Sequence, residues 1–391
     1  MKWFSDAAHI FWREFRMVFR DPGIMLFFFA LPLVYPIVYS LIYNPEVTRD
    51  MPVAVVDSDR TSLSREFVRH ADATQAMKIC GYASNIEEAR RWWAEKKCFG
   101  VIYIPSDYSE RVGRGEQGLV HFYSDVSLLL RYRTFLSSLT ELQMATDSDL
   151  RQEAINTLGL PVSNSSSIRT EAYFLGDPQQ GFASFIIPGI VVLILQQSML
   201  LGITMLAGTS KDRRRRNGGV DLLAYPASAS ATVVGKSLCY VALYLPLAVY
   251  ALHYIPLMFS FPHIGELHDY FLFILPLLVA TAFLGQAIQG IVSERESSFV
   301  VVVFTSVVFL FLSGLTWPRY AMNSAWIWLG NLIPATWGVE GFININNNGS
   351  PLALQSEPYL WLWGLAAVYF LCAVWATRCA RRWKCHPIPE V

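Results

Sequence analysis

Six long stretches of the chain contain no Asp, Glu, Lys or Arg, and a polar segment large enough for a domain lies between the first two of them. The stretches cover residues 22–45, 182–210, 237–265, 270–293, 297–318 and 358–377. Each holds the ~20 apolar residues a helix needs to cross ~30 Å of hydrocarbon. The pattern predicts an α-helical polytopic membrane protein with six transmembrane helices and an inserted α/β domain between spans 1 and 2.

Within the polar segment, residues 46–181, the period changes repeatedly. Strands are predicted at 52–56, 77–82, 99–104 and 119–123, with helices at about 62–71 and 85–95 between them. Asn85 and Glu88 have capping-box spacing at the second helix start. Strands separated by helices of this length predict βαβ units and a mainly parallel sheet. A long helix is expected at about 127–158, followed by a Ser-rich linker at 159–167.

Residues 1–21 read as an amphipathic helix. His9, Arg13, Arg16 and Arg20 share one face, and Phe4, Ala8, Phe11, Phe15 and Val18 share the other. Such a helix lies in the headgroup layer, apolar side down, either as a plain anchor or as a lever joined to the first span. The aromatic stretch 317–342 is broken by Pro318, Gly330, Pro334 and Gly338. It predicts short re-entrant helices in the outer leaflet, where broken backbone must be buried in protein or line a cavity. Gly314, Pro318, Asn331 and Pro334 mark this segment, and 344–349 reads as an exposed turn.

Composition agrees with the pattern: 53% of residues are hydrophobic and 16% charged, against about 25% charged in soluble proteins. Net charge is zero, but its placement gives an orientation. Lys and Arg cluster before span 1, after span 2 (Lys211 and Arg213 to Arg216), after span 4 (Arg295) and after span 6. Positive short loops stay cytoplasmic. Both termini are therefore expected inside and residues 46–181 outside, with residues 182–391 carrying the remaining spans. The first span is expected to act as an uncleaved signal-anchor. Only Cys80 and Cys98 fall in the outer segment, and a parallel sheet would set them on opposite edges, which disfavours pairing.

The interiors of the spans lack Asp, Glu, Lys and Arg, which argues against a carrier driven by protons or sodium. Gln196, Gln197, Gln286 and Gln289 are the polar exceptions, suited to interhelical hydrogen bonds or to a substrate path. No catalytic motif is present. Gly235, Lys236 and Ser237 imitate the end of a phosphate loop, but Ser230 replaces its opening Gly and a span follows. No cofactor, metal or nucleic acid is expected on this chain. The cytoplasmic loop 211–236 is the leading functional candidate. Its arginines alone fit a topology stop; the apolar segment Leu222–Leu223 before Pro226 suits a partner surface.

These residues resemble the membrane subunit of type-2 ATP-binding-cassette exporters over nearly the whole chain. The family's loop motif Gly-Thr-x-Glu-x-Leu, then Pro, then Gly-Lys, is met by Gly219, Val220, Asp221, Leu223, Pro226, Gly235 and Lys236. Val for Thr and Asp for Glu are departures. Leu312, Ser313, Gly314 and Pro318 match its Leu-Ser-Gly-x-x-x-Pro, and Asn331 with Pro334 its Asn-x-x-Pro. Asp177, Pro178, Pro188 and Gly189 stand near its Asn-Pro and Pro-Gly. Val53 to Asp57, with Ile104, Pro105 and Tyr108, resemble the large periplasmic insert of some members.

The resemblance implies a bacterial cytoplasmic membrane, a dimer with a second permease subunit, and separate ATPase subunits that bind the ATP. It also implies export of amphipathic molecules, in some members with a periplasmic adaptor and outer-membrane channel. Gly219, Asp221, Leu222, Leu223, Tyr225 and Pro226 would form the coupling helix in an ATPase groove. The rival reading is a membrane-anchored receptor or signalling protein, which six spans without a cytoplasmic output domain disfavour.

Overall fold

The structure is a computed structural model that describes residues 2–43, 49–114, 116–124, 129–158, 181–218, 223, 225–290, 292 and 294–382. Of these, 129–131, 147, 149–158 and 381–382 are described by backbone alone. The chain divides into two compact units, one of residues 1–44 and 174–391, the other of residues 45–173. The first begins with α1 (Lys2–Arg20) and α2 (Pro22–Tyr43). Asp21 separates them and caps α2: its carboxylate accepts from the amides of Gly23 at 3.0 Å and Ile24 at 3.2 Å. Pro22 at the first helical position loses no bond there.

The second unit runs β1 (Met51–Asp57), α3 (Ser62–Asp72), β2 (Met77–Tyr82), α4 (Ile86–Ala94), β3 (Gly100–Ile104), α5 (Tyr108–Gly113), β4 (His121–Ser124) and α6 (Leu129–Leu158). The strands form one sheet in the order β2-β1-β3-β4. β1 lies parallel to both neighbours, with Val53 opposite Ile79 and Gly100. β4 is antiparallel to β3 and starts two residues later than the sequence predicts. It is a half-exposed edge strand, which antiparallel pairing tolerates.

Central β1 is buried on both faces, as a parallel strand should be. Val53, Val55, Phe67, Ile102 and Phe135 pack on one side, and Ala54, Val56, Ala89 and Cys98 on the other. At α4 the cap differs from the predicted box: Asn85 accepts from Glu88 N, but Glu88 turns back to the amide of Ser84. Cys80 and Cys98 are free thiols. Cys80 lies in β2 and Cys98 two residues before β3, the strands on either side of β1.

The first unit resumes with α7 (Phe182–Arg216), α8 (Ala229–Met258), α9 (Leu267–Ile288), α10 (Arg295–Leu312), α11 (Ser324–Asn331), α12 (Pro334–Asn348) and α13 (Ser356–Arg382). Among the described residues, six helices are long and apolar enough to cross a membrane: α2, α7, α8, α9, α10 and α13. Of these helices α7 is the most buried and α10 the least.

Three expectations need correction. α8 starts at Ala229, capped by Ser228, so Lys236 lies inside a helix and not in the loop before it. α7 runs on to Arg216 and carries the arginines as its last turn. Residues 344–349 are not an exposed turn; they are the last turn of α12, closed by Gly349 at φ +61, with Asn346 fully buried. α12 itself packs tightly against α9, and a Cβ at Gly341 would fall 2.3 Å from the Phe273 ring.

Candidate functional site

The densest polar contacts join α1, the start of α8 and the loop between α7 and α8. α1 has a third face that its two-sided pattern hides. Ala7, Ile10, Glu14 and Val18 are buried at 3-4-4 spacing, so Val18 faces the protein core and not lipid as expected. Glycine at 235 permits the approach, since a Cβ there would sit 2.5 Å from the carbonyl oxygen of Ala7.

Glu14 is fully buried. The Tyr240 hydroxyl donates to its Oε1 at 2.5 Å. Lys236 Nζ lies 3.1 Å from Oε1 and an Arg13 nitrogen 3.5 Å from Oε2. Burial alone would push this carboxyl up; the Lys236 ammonium, the Arg13 guanidinium and the Tyr240 hydrogen bond outweigh it and hold the group below its ordinary value. The carboxylate is thus charged, paired and satisfied.

Arg13 also reaches the loop, donating through Nη1 to the carbonyl of Leu223 at 2.8 Å. Tyr225 stacks on His9 with ring centroids 4.3 Å apart, and its hydroxyl donates to Asp6 at 3.4 Å. Trp3 Nε1 donates to Ser230 at 3.2 Å. The loop is therefore fastened to α1, while the Leu223 side chain and Pro226 stay exposed. Gly219, Asp221 and Leu222 lie outside the described residues.

The basic run ending α7 is occupied by the bundle itself. Lys211 donates to the carbonyls of Gln289, at 2.7 Å, and Val292. Arg215 pairs with Glu294 at 2.5 Å, and Arg213 donates to Ser210 at 3.0 Å. Arg295 in turn holds Asp21 at 2.7 Å. These contacts tie the turn between α9 and α10 to α7 and to the start of α2.

The span glutamines face different neighbours. Gln286 donates to Ser237 Oγ at 2.5 Å and joins α9 to α8. Gln289, just past α9, donates to Thr377 on α13 at 3.3 Å. Gln196 accepts the Ala335 amide at 2.6 Å, at the N-terminus of α12. Gln197 is part-buried on α7.

In the segment after α10, Gly314 at φ +86 turns the chain so that Arg319 lies against it. Pro318 precedes a short turn, and Pro334 opens α12. Arg319 pairs with Glu340, donates to Asn331 at 2.5 Å and lies 4.5 Å over the Trp337 ring. Trp337 stacks on Trp361 with centroids 5.0 Å apart. Gly314 and Asn331 are thus gathered around one arginine, beside a cleft of about 570 Å³ that Phe185, Leu315, Trp337 and Glu357 also line.

Sequence reasoning missed Glu14, Tyr240 and Asp6. A signal existed for Glu14: it interrupts the stripe Ala7, Ile10, Val18 that otherwise reads as apolar.

Several helices long and apolar enough to cross a membrane make this a multi-pass membrane protein. Residues 22–375 match the model of the ABC-2 family transporter protein, and the chain belongs to that family. It is also similar to ABC transporter G family member 20 of Dictyostelium discoideum, 23% identical over 333 residues. That alignment covers 83% of this chain but 44% of the relative, so the chain spans less than half of that protein's length.

Proposed function

We propose that this chain is the permease subunit of an ATP-driven exporter, with no chemistry of its own. ATP is bound and hydrolysed on partner ATPase subunits, and the loop between α7 and α8, residues 217–228, receives their motion. A second permease subunit completes the path. The cargo is an amphipathic molecule, moved outward from a bacterial cytoplasmic membrane. The termini lie in the cytoplasm, and residues 45–173 form the large extracytoplasmic insert between spans 1 and 2, the element that would meet an adaptor and an outer-membrane channel.

One observation carries this reading: the loop exposes Leu223 and Pro226 while its backbone and Tyr225 are bound to α1. A segment held at its root and apolar at its tip can take a push without folding away. Through Glu14 and Lys236 the push passes to α8 within the same buried cluster. Such switching requires the ATP-bound partner to favour one arrangement by differential contacts.

Replacing both Leu222 and Leu223 by Asp is expected to abolish ATPase co-purification while the protein still inserts and folds. Normal co-purification together with normal export would refute the assignment.

A further inference from the structure

The end of the bundle away from α1 holds a pair of histidines that no transport step above uses. His253 sits in a π-helical turn of α8, Tyr250–Tyr254, a distortion that often marks functional positions. His263 lies in the connection between α8 and α9. His253 Nδ1 and His263 Nε2 are 2.6 Å apart, and His263 Nδ1 is 2.7 Å from Asn346 Oδ1.

The surrounding bonds fix where the protons are. Asn346 Nδ2 donates to the Pro262 carbonyl at 3.0 Å and to Asn347 Oδ1 at 2.7 Å. Its Oδ1 must therefore face His263 and also accepts from the Tyr270 hydroxyl at 3.3 Å. His263 Nδ1 must donate to that oxygen. In the neutral ring its Nε2 is then a lone pair, so His253 Nδ1 must carry the hydrogen between the rings. A proton added at His253 Nε2 preserves the bond. A second would put N–H groups on both facing nitrogens, 2.6 Å apart.

We infer that His253 and His263 form a one-proton clasp that holds the α8–α9 connection against α12 and opens when both imidazoles are charged.

The clasp closes the connection at both sides: Ile264 N donates to the Asn346 carbonyl at 3.0 Å, and Gly265 N to the Tyr270 hydroxyl at 3.1 Å. Tyr270 stacks on the His263 ring with centroids 4.5 Å apart. Burial, offset in part by the Asn346 bond and reinforced by His253, holds His263 below the ordinary histidine value. The other titratable groups nearby are Tyr250 and Tyr254 on α8, Glu266 in the connection, and His268, Asp269 and Tyr270 on α9. On α12, Glu340 is engaged by Arg319. The packed α2 contributes Tyr35, Tyr39 and Tyr43 and no charge, and the first half of α7 has no ionisable side chain.

Hydrogen exchange on the full protein in lipid nanodiscs tests this. Amide protection of the connection, corrected for intrinsic exchange, is expected to fall about tenfold between about pH 7.5 and about pH 5. Peptides from the start of α8 should hold steady and report the fold. In His253→Gln the amide still donates to His263 but cannot charge, so protection should stay flat. Ring C2 exchange on the wild type should show the two histidines titrating in separate steps. Equal pH profiles for wild type and His253→Gln would overturn the clasp, as would independent titration of the two rings.

Discussion

Glu14 is a fully buried carboxylate with Lys236, Arg13 and Tyr240 around it. A carboxylate with no solvent exposure survives only because three partners converge on it. Removing one partner leaves a buried charge underpaired, at about 3–5 kcal/mol. Lys236→Met should fall at the lower end of that range, because Arg13 and Tyr240 remain. Glu14→Leu combined with Lys236→Met should recover most of the loss, as read by thermal unfolding in nanodiscs. The pH dependence has a definite sign. The folded carboxyl titrates below its ordinary value of 4.5, so on acidification the unfolded chain takes its proton first. The stabilisation is complete above 4.5 and is lost as pH falls through the lower folded value. Wild type should therefore lose stability under acid more steeply than the double variant.

At the scale of elements, the contact of α1 with α8 decides whether α1 is an anchor or a lever. A valine at 235 would drive its Cβ into the Ala7 carbonyl, which belongs to backbone and cannot turn aside. Gly235→Val should lift α1, so that a cysteine at Ile10, buried at 1% exposure, becomes reactive to maleimide. Unchanged protection would show that α1 and α8 are not in register as described. The sequence made the spans legible because a charge-free run of that length has few other uses. It hid the start of α8, because Lys236 looks like a loop residue until its partner Glu14 is seen across more than two hundred positions. It also hid the last turn of α12: a run of asparagines reads as an exposed turn, and only the packing of Asn346 against His263 and Tyr270 shows otherwise. The strands were legible from their alternation with helices, but the reversal of β4 depends on pairing with β3 that no local pattern records.

At the scale of the whole molecule, two groups of described contacts bind the helices around the loop, and Arg213, 3.6 Å from Met17 Sδ, links them. One ties α1, the α7–α8 loop and α8; the other ties α7, α2 and the turn before α10 through Lys211, Arg215, Arg295 and Asp21. A force arriving at the loop therefore meets helices that are already joined. Family membership supports transport as the use of that arrangement. The central claim is that the exposed tip of the loop is where an ATP-hydrolysing partner presses. The most direct measurement places the photo-crosslinker p-benzoylphenylalanine at Leu223, and for comparison at Phe304, which is 74% exposed on α10. The account predicts an adduct with the ATPase from position 223 and none from position 304. No adduct at 223, or equal adducts from both, would contradict it.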